Sequence, residues 1–405
     1  MMMGLLLSLV IGGCGSSEEN DDTASLQIQR LQSLPYAGSS PAKKSEADGV
    51  VTHDVQRTSP GYNLYTIYAL GTAELIAADG TVVRFWSGKD ETWMHTSLMS
   101  NGDLLVVGAA QPVSSGPGKD AFLDDATRFV ERFNWQGRLL WKKPFTGHHD
   151  ITVTPDDQLL LLAMDYRLFK PIDAQVPVRD EVLLLLDQSG EFLEAYSLMS
   201  AIGRNNKALP LSILRPTEEL GKRFIDLLHA NSADWPDYGK LVGTHPLYDP
   251  NNVLVCFRHQ NRVAMFNWQT KKVVWSWGKG ELYGPHDARL LDNGNILVFD
   301  NGLGEQRSRV VEMDPRTEAI VWQYVADPPG SFFTVSKGSA QRLANGNTLA
   351  VESDSGRAFE VTQAGEIVWE FICPHQISFG NRAAIVHMER YSVEFIDQLM
   401  TQPTQ

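Results

Sequence analysis

The sequence predicts an all-β protein, a six-bladed β-propeller with four-stranded antiparallel blades around a central channel. A strand–turn–strand signature recurs six times after residue 60, with turn residues at Gly80, Gly137, Gly190, Lys271, Glu318 and Gly365. The successive spacings are 57, 53, 81, 47 and 47 residues. A period near fifty residues with short strands is typical of propeller blades.

The spacings also predict the domain organisation. We expect the propeller to occupy residues 59–396 and a short C-terminal tail to occupy 397–405. The spacing of 81 residues indicates an insertion at about residues 201–248, with a short helix at Glu218–Leu228. The first blade is short of inner strands, and we expect Asn381–Phe395 to supply them, because an unclosed ring would leave bare strand edges.

The N-terminus has the pattern of an export signal. A short apolar run, Leu5–Ile11, is followed by Gly12-Gly13-Cys14. The run is too brief to span a bilayer, and the whole pattern is typical of a lipoprotein signal peptide at residues 1–14. We expect lipid on Cys14, a flexible polar tether at 15–58, and a cell-envelope lipoprotein on the periplasmic side or the cell surface. The alternative is a plain hydrophobic tail.

The net charge limits the kinds of partner the protein can bind, and the cysteine content bears on its core. A formal net charge of −14 over 405 residues argues against nucleic acid or an anionic membrane surface as the main partner, so membrane contact is expected through the lipid anchor alone. An anionic ligand would need a local cationic site. Cys256 and Cys373 lie in different repeats, and we expect both to be buried as small apolar residues.

Two histidines share one position in the repeat. In the unit built on the Asn293-Gly294 turn, His286 precedes the second strand, which begins at Ile296, by ten residues. In the unit whose second strand begins at Leu159, the same count reaches His149. Since the innermost strand of every blade lines the channel, equivalent positions converge at one rim. We therefore expect His149 and His286 to meet there.

Neighbouring residues are expected to face elsewhere. His95 and His148 are each one residue out of phase, and side chains alternate across a strand. Asp150 and Asp287 follow the in-phase histidines, so we expect them to point away from the channel and to be structural.

The fourth blade adds His229 and, after the strand at 252–257, Arg258. Each histidine taken singly is well explained as a strand cap that bonds a backbone carbonyl. The set of three histidines with one arginine instead indicates a binding or catalytic centre. A three-histidine metal site is possible in principle, but the arginine would repel a cation, so no metal is predicted.

The ordered set of motifs resembles the bacterial arylsulfate sulfotransferase family over roughly residues 59–395. The matching stretches are His149-Asp150, His229-Ala230-Asn231-Ser232, the Arg258 strand, Pro285-His286-Asp287 with Phe299-Asp300-Asn301-Gly302, 308–315 and 338–349. Departures are the long interval from His229 to Arg258, Asp156-Asp157 in place of Asn-Gly, and the lack of the family's disulfide-forming cysteine pair.

The resemblance implies a nucleotide-independent sulfotransferase without a cofactor. It would move a sulfuryl group from a small phenolic sulfate ester to a phenolic acceptor by a ping-pong route through a sulfohistidine. By this resemblance His286 is the nucleophile, and His149, His229 and Arg258 are catalytic and substrate-binding. A neutral imidazole is a competent nucleophile because its pKa is about 6.5, and an arginine fork matches sulfate oxygens.

Two other functions fit parts of the sequence. A non-catalytic propeller lipoprotein could serve as an envelope binding or scaffold module. A quinone-dependent dehydrogenase is also exported and propeller-based, but it needs more blades and acidic calcium ligands that the sequence does not place. The sequence contains no Gly-rich phosphate loop, no Gly-x-Ser-x-Gly elbow and no His-Glu-x-x-His motif, which agrees with a nucleotide-free reaction.

Overall fold

Six antiparallel sheets stand in a ring in the computed structural model, five with four strands and one with a fifth strand added to its four, which confirms the six-bladed β-propeller. The structure describes residues 39–41, 47–111, 125–219, 221–377 and 380–401. The predicted signal peptide and Cys14 lie outside these residues. None of the helices in the described part of the chain is long and apolar enough to span a membrane.

The strands of each blade run from the channel outward. Blades 1 to 3 consist of Ile385–Tyr391, Tyr62–Ile67, Thr72–Ile76 and Val82–Ser87; Glu91–Leu98, Leu104–Ala110, Arg128–Phe133 and Leu139–Lys143; and Gly147–Val153, Leu159–Arg167, Val178–Leu186 and Phe192–Ser197. Blades 4 to 6 consist of Ala230–Asp234, Asn252–Phe257, Arg262–Asn267 and Lys272–Trp277; His286–Leu290, Ile296–Asp300, Arg309–Asp314 and Ala319–Val325; and Ser339–Arg342, Thr348–Glu352, Arg357–Val361 and Ile367–Ile372.

Smaller elements decorate the ring. The additional strands are Gly49–His53, the hairpin Thr217–Glu219 with Lys222–Phe224, and the small sheet Ser39–Pro41, Asn381–Ala383 and Gln376–Ile377. The α-helices are Leu198–Ile202 and Val393–Met400, and the 3-10 turns are Tyr68–Leu70, Asp125–Thr127, Gly239–Leu241, Pro246–Tyr248, Pro329–Ser331 and Ser353–Ser355.

Two local expectations differ from these elements. The helix predicted at Glu218–Leu228 is wrong, because the start of this segment forms the hairpin and its end leads into the innermost strand of blade 4. Part of the segment predicted as a tether is also a strand. Gly49–His53 pairs with Ile367–Ile372 as a fifth strand on the outer edge of blade 6, so it covers an edge that would otherwise be open.

Burial explains why the second strand of each blade is so apolar. The second strands of blades 4 and 5, Asn252–Phe257 and Ile296–Asp300, are buried along their whole length, because strands pair on both sides and neighbouring blades pack on both faces. The turn before the latter strand needs glycine. Gly294 has φ +87°, and an added Cβ would lie 2.6 Å from the Tyr248 hydroxyl.

The C-terminal segment closes the ring as predicted. Ile385–Tyr391 pairs antiparallel with Tyr62–Ile67 and forms the innermost strand of blade 1. Gln341 of blade 6 reaches across the seam, where its amide accepts from the Arg390 N–H at 2.7 Å and donates to the Arg390 carbonyl at 3.0 Å. The first and last parts of the propeller are therefore joined by backbone and side-chain hydrogen bonds.

Asp150 and Asp287 lie inside the ring, so the expectation that they point away from the channel is wrong. Asp150 accepts the Ala233 N–H of the next blade at 3.0 Å, and Asp287 accepts the Ala340 N–H at 3.1 Å. Both carboxylates also pair with Arg289, at 3.0 and 2.8 Å. Asp287 and Arg289 line a cavity of about 1310 Å³ on the side of the inter-strand turns. These contacts join blades, which agrees with a structural role.

Backbone bulges explain the failure of simple alternation. His149 and Asp287 have φ of +62° and +48°, and the pairing of the innermost strand shifts register at both places. A left-handed residue in a bulge re-aims the side chains beside it. Consecutive residues at these strand starts therefore do not face strictly opposite sides.

Candidate active site

The candidate site lies where the innermost strands of blades 3, 4 and 5 begin. His149 and His229 contact one another there, with ring centroids 5.5 Å apart in an edge-on arrangement. The charge of Arg258 lowers the pKa of His286, and both His229 and His286 act on the pKa of His149. The structure thus places the four predicted residues within electrostatic range of one another, and their roles in a reaction stay predictions.

Hydrogen bonds fix the tautomer of His286. The Asn301 amide nitrogen donates to the Thr334 and Lys337 carbonyls at 2.8 and 3.0 Å, so its oxygen faces the imidazole as an acceptor. His286 Nδ1 lies 2.6 Å from that oxygen and 3.1 Å from the Gly284 carbonyl. Nδ1 must therefore carry the proton, and Nε2 carries the lone pair.

His286 Nε2 is buried and poised. It has no hydrogen-bond partner among the residues that the structure describes, and the side chain is 3% exposed. Burial, followed by the positive charge of Arg258, lowers the pKa of His286 to about 3. The ring is therefore neutral, with an available lone pair, across the whole physiological pH range.

His229 is backed by a carboxylate. Its Nδ1 lies 2.5 Å from Asp226 Oδ2, an arrangement that orients the ring and places the proton on Nδ1. Arg179 lies 3.1 Å from the other oxygen of Asp226 and 3.2 Å from His229 Nδ1. Burial lowers the pKa of His229 well below its ordinary value, and the charge of Asp226 opposes this shift.

His149 is backed by its own neighbour. Its left-handed backbone turns the ring toward His148, so that the two Nδ1 atoms are 2.6 Å apart. His148 Nε2 lies 2.8 Å from Glu181 Oε2, with side-chain exposures of 3% and 0%. Burial lowers the pKa of His149 well below its ordinary value. His148, which the sequence placed out of phase, is therefore a partner of His149.

Two cationic side chains flank His286. Arg258 is 2% exposed, and its guanidinium lies 3.3 Å from His259 Nε2 and 3.4 Å from the Val335 carbonyl. Lys337 is 4% exposed, and its ammonium pairs with Asp354 at 2.8 Å. Together they supply the local positive charge that an anion requires in a chain of net charge −14.

One cluster in the site has the composition of metal ligands. Ligand atoms of Asp226, His229 and His259 lie within 4.8 Å of one another. The guanidinium of Arg179 contacts Asp226, and that of Arg258 contacts His259. Two guanidinium groups at this distance oppose a divalent cation, and the cluster fits better as a support for the imidazoles.

Several supporting residues were not found from the sequence. They are Glu181, Arg179, Asp226, His259, Lys337 and Asn301. Only Asn301 had a signal, since it lies in the Phe299–Gly302 motif one strand length after His286. The others come from third strands, loops and strand ends, where no periodicity marks them.

His95 lines the cavity with Asp287 and Arg289, so it lies inside the ring although alternation predicted that it faces elsewhere. Its Nε2 is 3.4 Å from Asp150, and its ring is 4.8 Å from that of His387. Burial lowers the pKa of His95 to about 3. Both cysteines that the structure describes, Cys256 and Cys373, are buried free thiols, as the sequence predicted.

The fold and the site define a six-bladed β-propeller with a buried centre of imidazole and guanidinium groups, suited to an oxyanion. The family model described as Arylsulfotransferase (ASST) matches residues 126–374, and the chain belongs to this family. Membership indicates arylsulfotransferase activity in general, on small aryl sulfates and phenols. No curated protein matches the chain significantly.

Solved structures resemble this chain only at low sequence identity. The crystal structure of a protein of unknown function from Bacteroides caccae is 14% identical and covers 82% of this chain and 98% of its own, with a TM-score of 0.50. The crystal structure of a nidogen/laminin complex is 7% identical and covers 81% of this chain and 97% of its own, with a TM-score of 0.46. The Cps50 (Swd1) β-propeller domain of Myceliophteria thermophila is 12% identical and covers 85% of this chain and 89% of its own, with a TM-score of 0.42. These likenesses concern the fold alone.

Proposed function

We propose that the protein transfers a sulfuryl group from a phenolic sulfate ester to a phenolic acceptor by a ping-pong mechanism, with His286 Nε2 as the carrier. The observation that supports it most is the tautomer of His286. Asn301 and Gly284 engage Nδ1, and Nε2 is left as a buried lone pair beside Arg258. A strand-capping histidine has no need of such an arrangement.

In the first half-reaction, the Nε2 lone pair attacks sulfur and the bond from sulfur to the aryl oxygen breaks. The phenolate leaves with the bonding electrons and takes a proton from an imidazole of the site. In the second half-reaction, the acceptor phenol gives its proton to that imidazole, and its oxygen attacks sulfur while the N–S bond breaks. Positioning and charge stabilisation dominate such a transfer.

Arg258 is proposed to hold the sulfuryl oxygens. Its planar fork of donors cannot lose its charge, and it matches oxyanions better than an ammonium does. Lys337 adds a second positive charge on the side of the loop at 334–337. His149 and His229 are proposed to manage the proton of the phenols, since both are neutral imidazoles with anchored Nδ1 atoms.

The test uses a chromogenic phenyl sulfate with and without a second phenol. Wild-type protein should release the chromophore continuously only with acceptor, and His286→Ala should reduce release to background. The matched control is His95→Gln, since His95 is also buried with a pKa of about 3 but contacts Asp150 and His387 rather than the imidazoles of the site. Release that persists in His286→Ala would remove His286 from the reaction, and no release by wild type would favour the scaffold alternative.

We also propose that the chain is an exported lipoprotein anchored through Cys14. The supporting feature is the apolar run that ends in Gly12-Gly13-Cys14. Fractionation of cells that express the full chain should place the protein with membranes. A Cys14→Ser variant should appear in the aqueous fraction, and a variant that stays with the membranes would contradict the proposal.

A further inference from the structure

A buried ionic network connects the two accessory histidines behind the site. Arg179 contacts Glu181 and Asp226 at 3.1 Å each. Glu181 faces His148, which contacts His149, and Asp226 faces His229. The network starts and ends at imidazoles whose rings are 5.5 Å apart.

The charges of this network do not balance without a proton. Glu181, Asp226 and Arg179 are at most 8% exposed, and these two carboxylates with one guanidinium leave one negative charge. Beyond them, the guanidinium of Arg258 contacts His259, and the carboxylate of Glu219 interacts with Arg179 and Asp226, so the deficit of one positive charge remains. Buried charges are stable only when they are paired. One proton on one of the adjacent histidines would complete the pairing.

The surroundings favour His148 as the holder of this proton. A positive charge on His148 would lie 2.8 Å from Glu181 Oε2. The direction from His148 Nε2 to that oxygen does not suit a hydrogen bond, so the contact is electrostatic. At His229 the same charge would lie 2.5 Å from Asp226 Oδ2, but it would also meet the guanidinium of Arg179 at 3.2 Å and the ring of His259 at 4.4 Å. Repulsion therefore opposes protonation of His229 more directly.

We propose that His148 and Glu181 store the proton that His149 exchanges with the phenols. This inference rests on the proposed function. In the resting state His148 is an imidazolium beside the Glu181 carboxylate, and His149 carries its proton on Nε2. As phenolate leaves, His149 Nε2 gives that proton to the phenolate oxygen, and His148 Nδ1 returns a proton to His149 Nδ1. The acceptor phenol reverses both transfers, so each full turnover leaves the proton count unchanged.

The backbone brings this pair into contact. Left-handed residues also occur at His229 and Asp287, so the bulge is shared by three blades, and consecutive strand residues ordinarily face apart. At His149, with φ +62°, this conformation brings two neighbouring imidazoles to an Nδ1–Nδ1 distance of 2.6 Å. Such a short contact requires one nitrogen to donate and the other to accept.

The test compares leaving groups in single turnovers with donor alone. A nitrophenol leaves readily as its anion, whereas an unsubstituted phenol, with a pKa near that of tyrosine at about 10, needs the proton. Glu181→Gln should slow release of the phenol at least about tenfold more than release of the nitrophenol, because general acid catalysis contributes roughly 10²- to 10⁴-fold. His148→Gln, which can accept from His149 but cannot hold a proton, should behave in the same way.

Two further variants make the outcome decisive. Asp226→Asn should slow both leaving groups equally, and Glu131→Gln, which changes a buried carboxylate paired with Lys142 at 2.7 Å in blade 2, should leave both rates unchanged. If Asp226→Asn shows the leaving-group dependence and Glu181→Gln does not, the stored proton belongs to His229 and the inference is overturned. If wild-type protein forms no sulfated His286, the proposed function itself fails, which is a different result.

Discussion

Removing the Asn301 hydrogen bond is the perturbation that probes the nucleophile most selectively. Asn301→Leu deletes the acceptor 2.6 Å from His286 Nδ1. As the N–S bond forms, the imidazole gains positive charge. The hydrogen bond from His286 Nδ1 to Asn301 then becomes one with a charged donor. Such bonds contribute about 1.5–3 kcal/mol, which corresponds to about a 10- to 150-fold loss in the donor half-reaction at about 1.4 kcal/mol per tenfold.

The matched control is Asn252→Leu in blade 4. Asn252 is also buried, its amide nitrogen donates to the carbonyls of Pro246 and Leu247, and its oxygen accepts from Asn267 at 3.0 Å. Both substitutions orphan two backbone carbonyls, so both should cost on the order of 2–5 kcal/mol of stability. Only Asn301→Leu should slow the chemical step.

The assay is the burst of phenol released on mixing the enzyme with excess donor, alongside thermal unfolding of each variant. Equal melting temperatures with a slow burst in Asn301→Leu alone would support tautomer control. If the burst of Asn301→Leu stays within threefold of wild type, or if Asn252→Leu is slowed as much, the hydrogen bond does not activate His286.

Three other results are expected. Burial and Arg258 lower the pKa of His286 to about 3, so the burst rate of the donor half-reaction should be nearly unchanged from pH 7 to 5.5. A histidine with a pKa of 6.5 would lose about tenfold in this rate over the same range, and such a loss would contradict the low pKa of His286. Arg258→Lys should raise the donor concentration needed for half-saturation and slow the burst by about 10-fold or more, since an ammonium lacks the fork geometry; unchanged saturation would remove Arg258 from donor binding. His95, His286 and His387 have folded-state pKa values of about 3, 3 and 4, below the unfolded value, so these three groups alone would lower stability by up to about 4 kcal/mol per pH unit as the pH drops below 6.5. Glu131 and Asp234, whose pKa values burial raises to about 7 and 6, bind protons in the native state and oppose part of this fall. Urea unfolding at pH 7 and 5 measures the net slope, which His387→Gln should reduce.

Much of the fold follows from spacing alone. Six repeats near fifty residues specify six blades, and the need to cover strand edges correctly assigned the C-terminal strand Ile385–Tyr391 to blade 1. The same argument could have found Gly49–His53. Its partner strand lies more than 300 residues away, however, and the five residues Gly-Val-Val-Thr-His are too few to show a clear period of their own.

The site was predictable in its main residues and not in its supports. Counting from the second strand selected His149 and His286, because the Asn-Gly type of turn fixes register. Alternation failed for Asp150, Asp287 and His148, since left-handed residues at non-glycine positions are set by tertiary contacts. The partners of the histidines, such as Asp226 and Glu181, come into contact with them only in the folded chain, and no local sequence rule predicts these contacts.

The central claim is that His286 Nε2 carries the sulfuryl group between two half-reactions. The most direct measurement is to mix the protein with donor labelled at sulfur, stop the reaction before acceptor is added, and map the label by mass spectrometry under conditions that keep an N–S bond intact. We expect one sulfuryl group per chain on the peptide that contains His286, lost on addition of a phenol with equal formation of the new ester. Label on another residue, or transfer without any labelled intermediate, would contradict it.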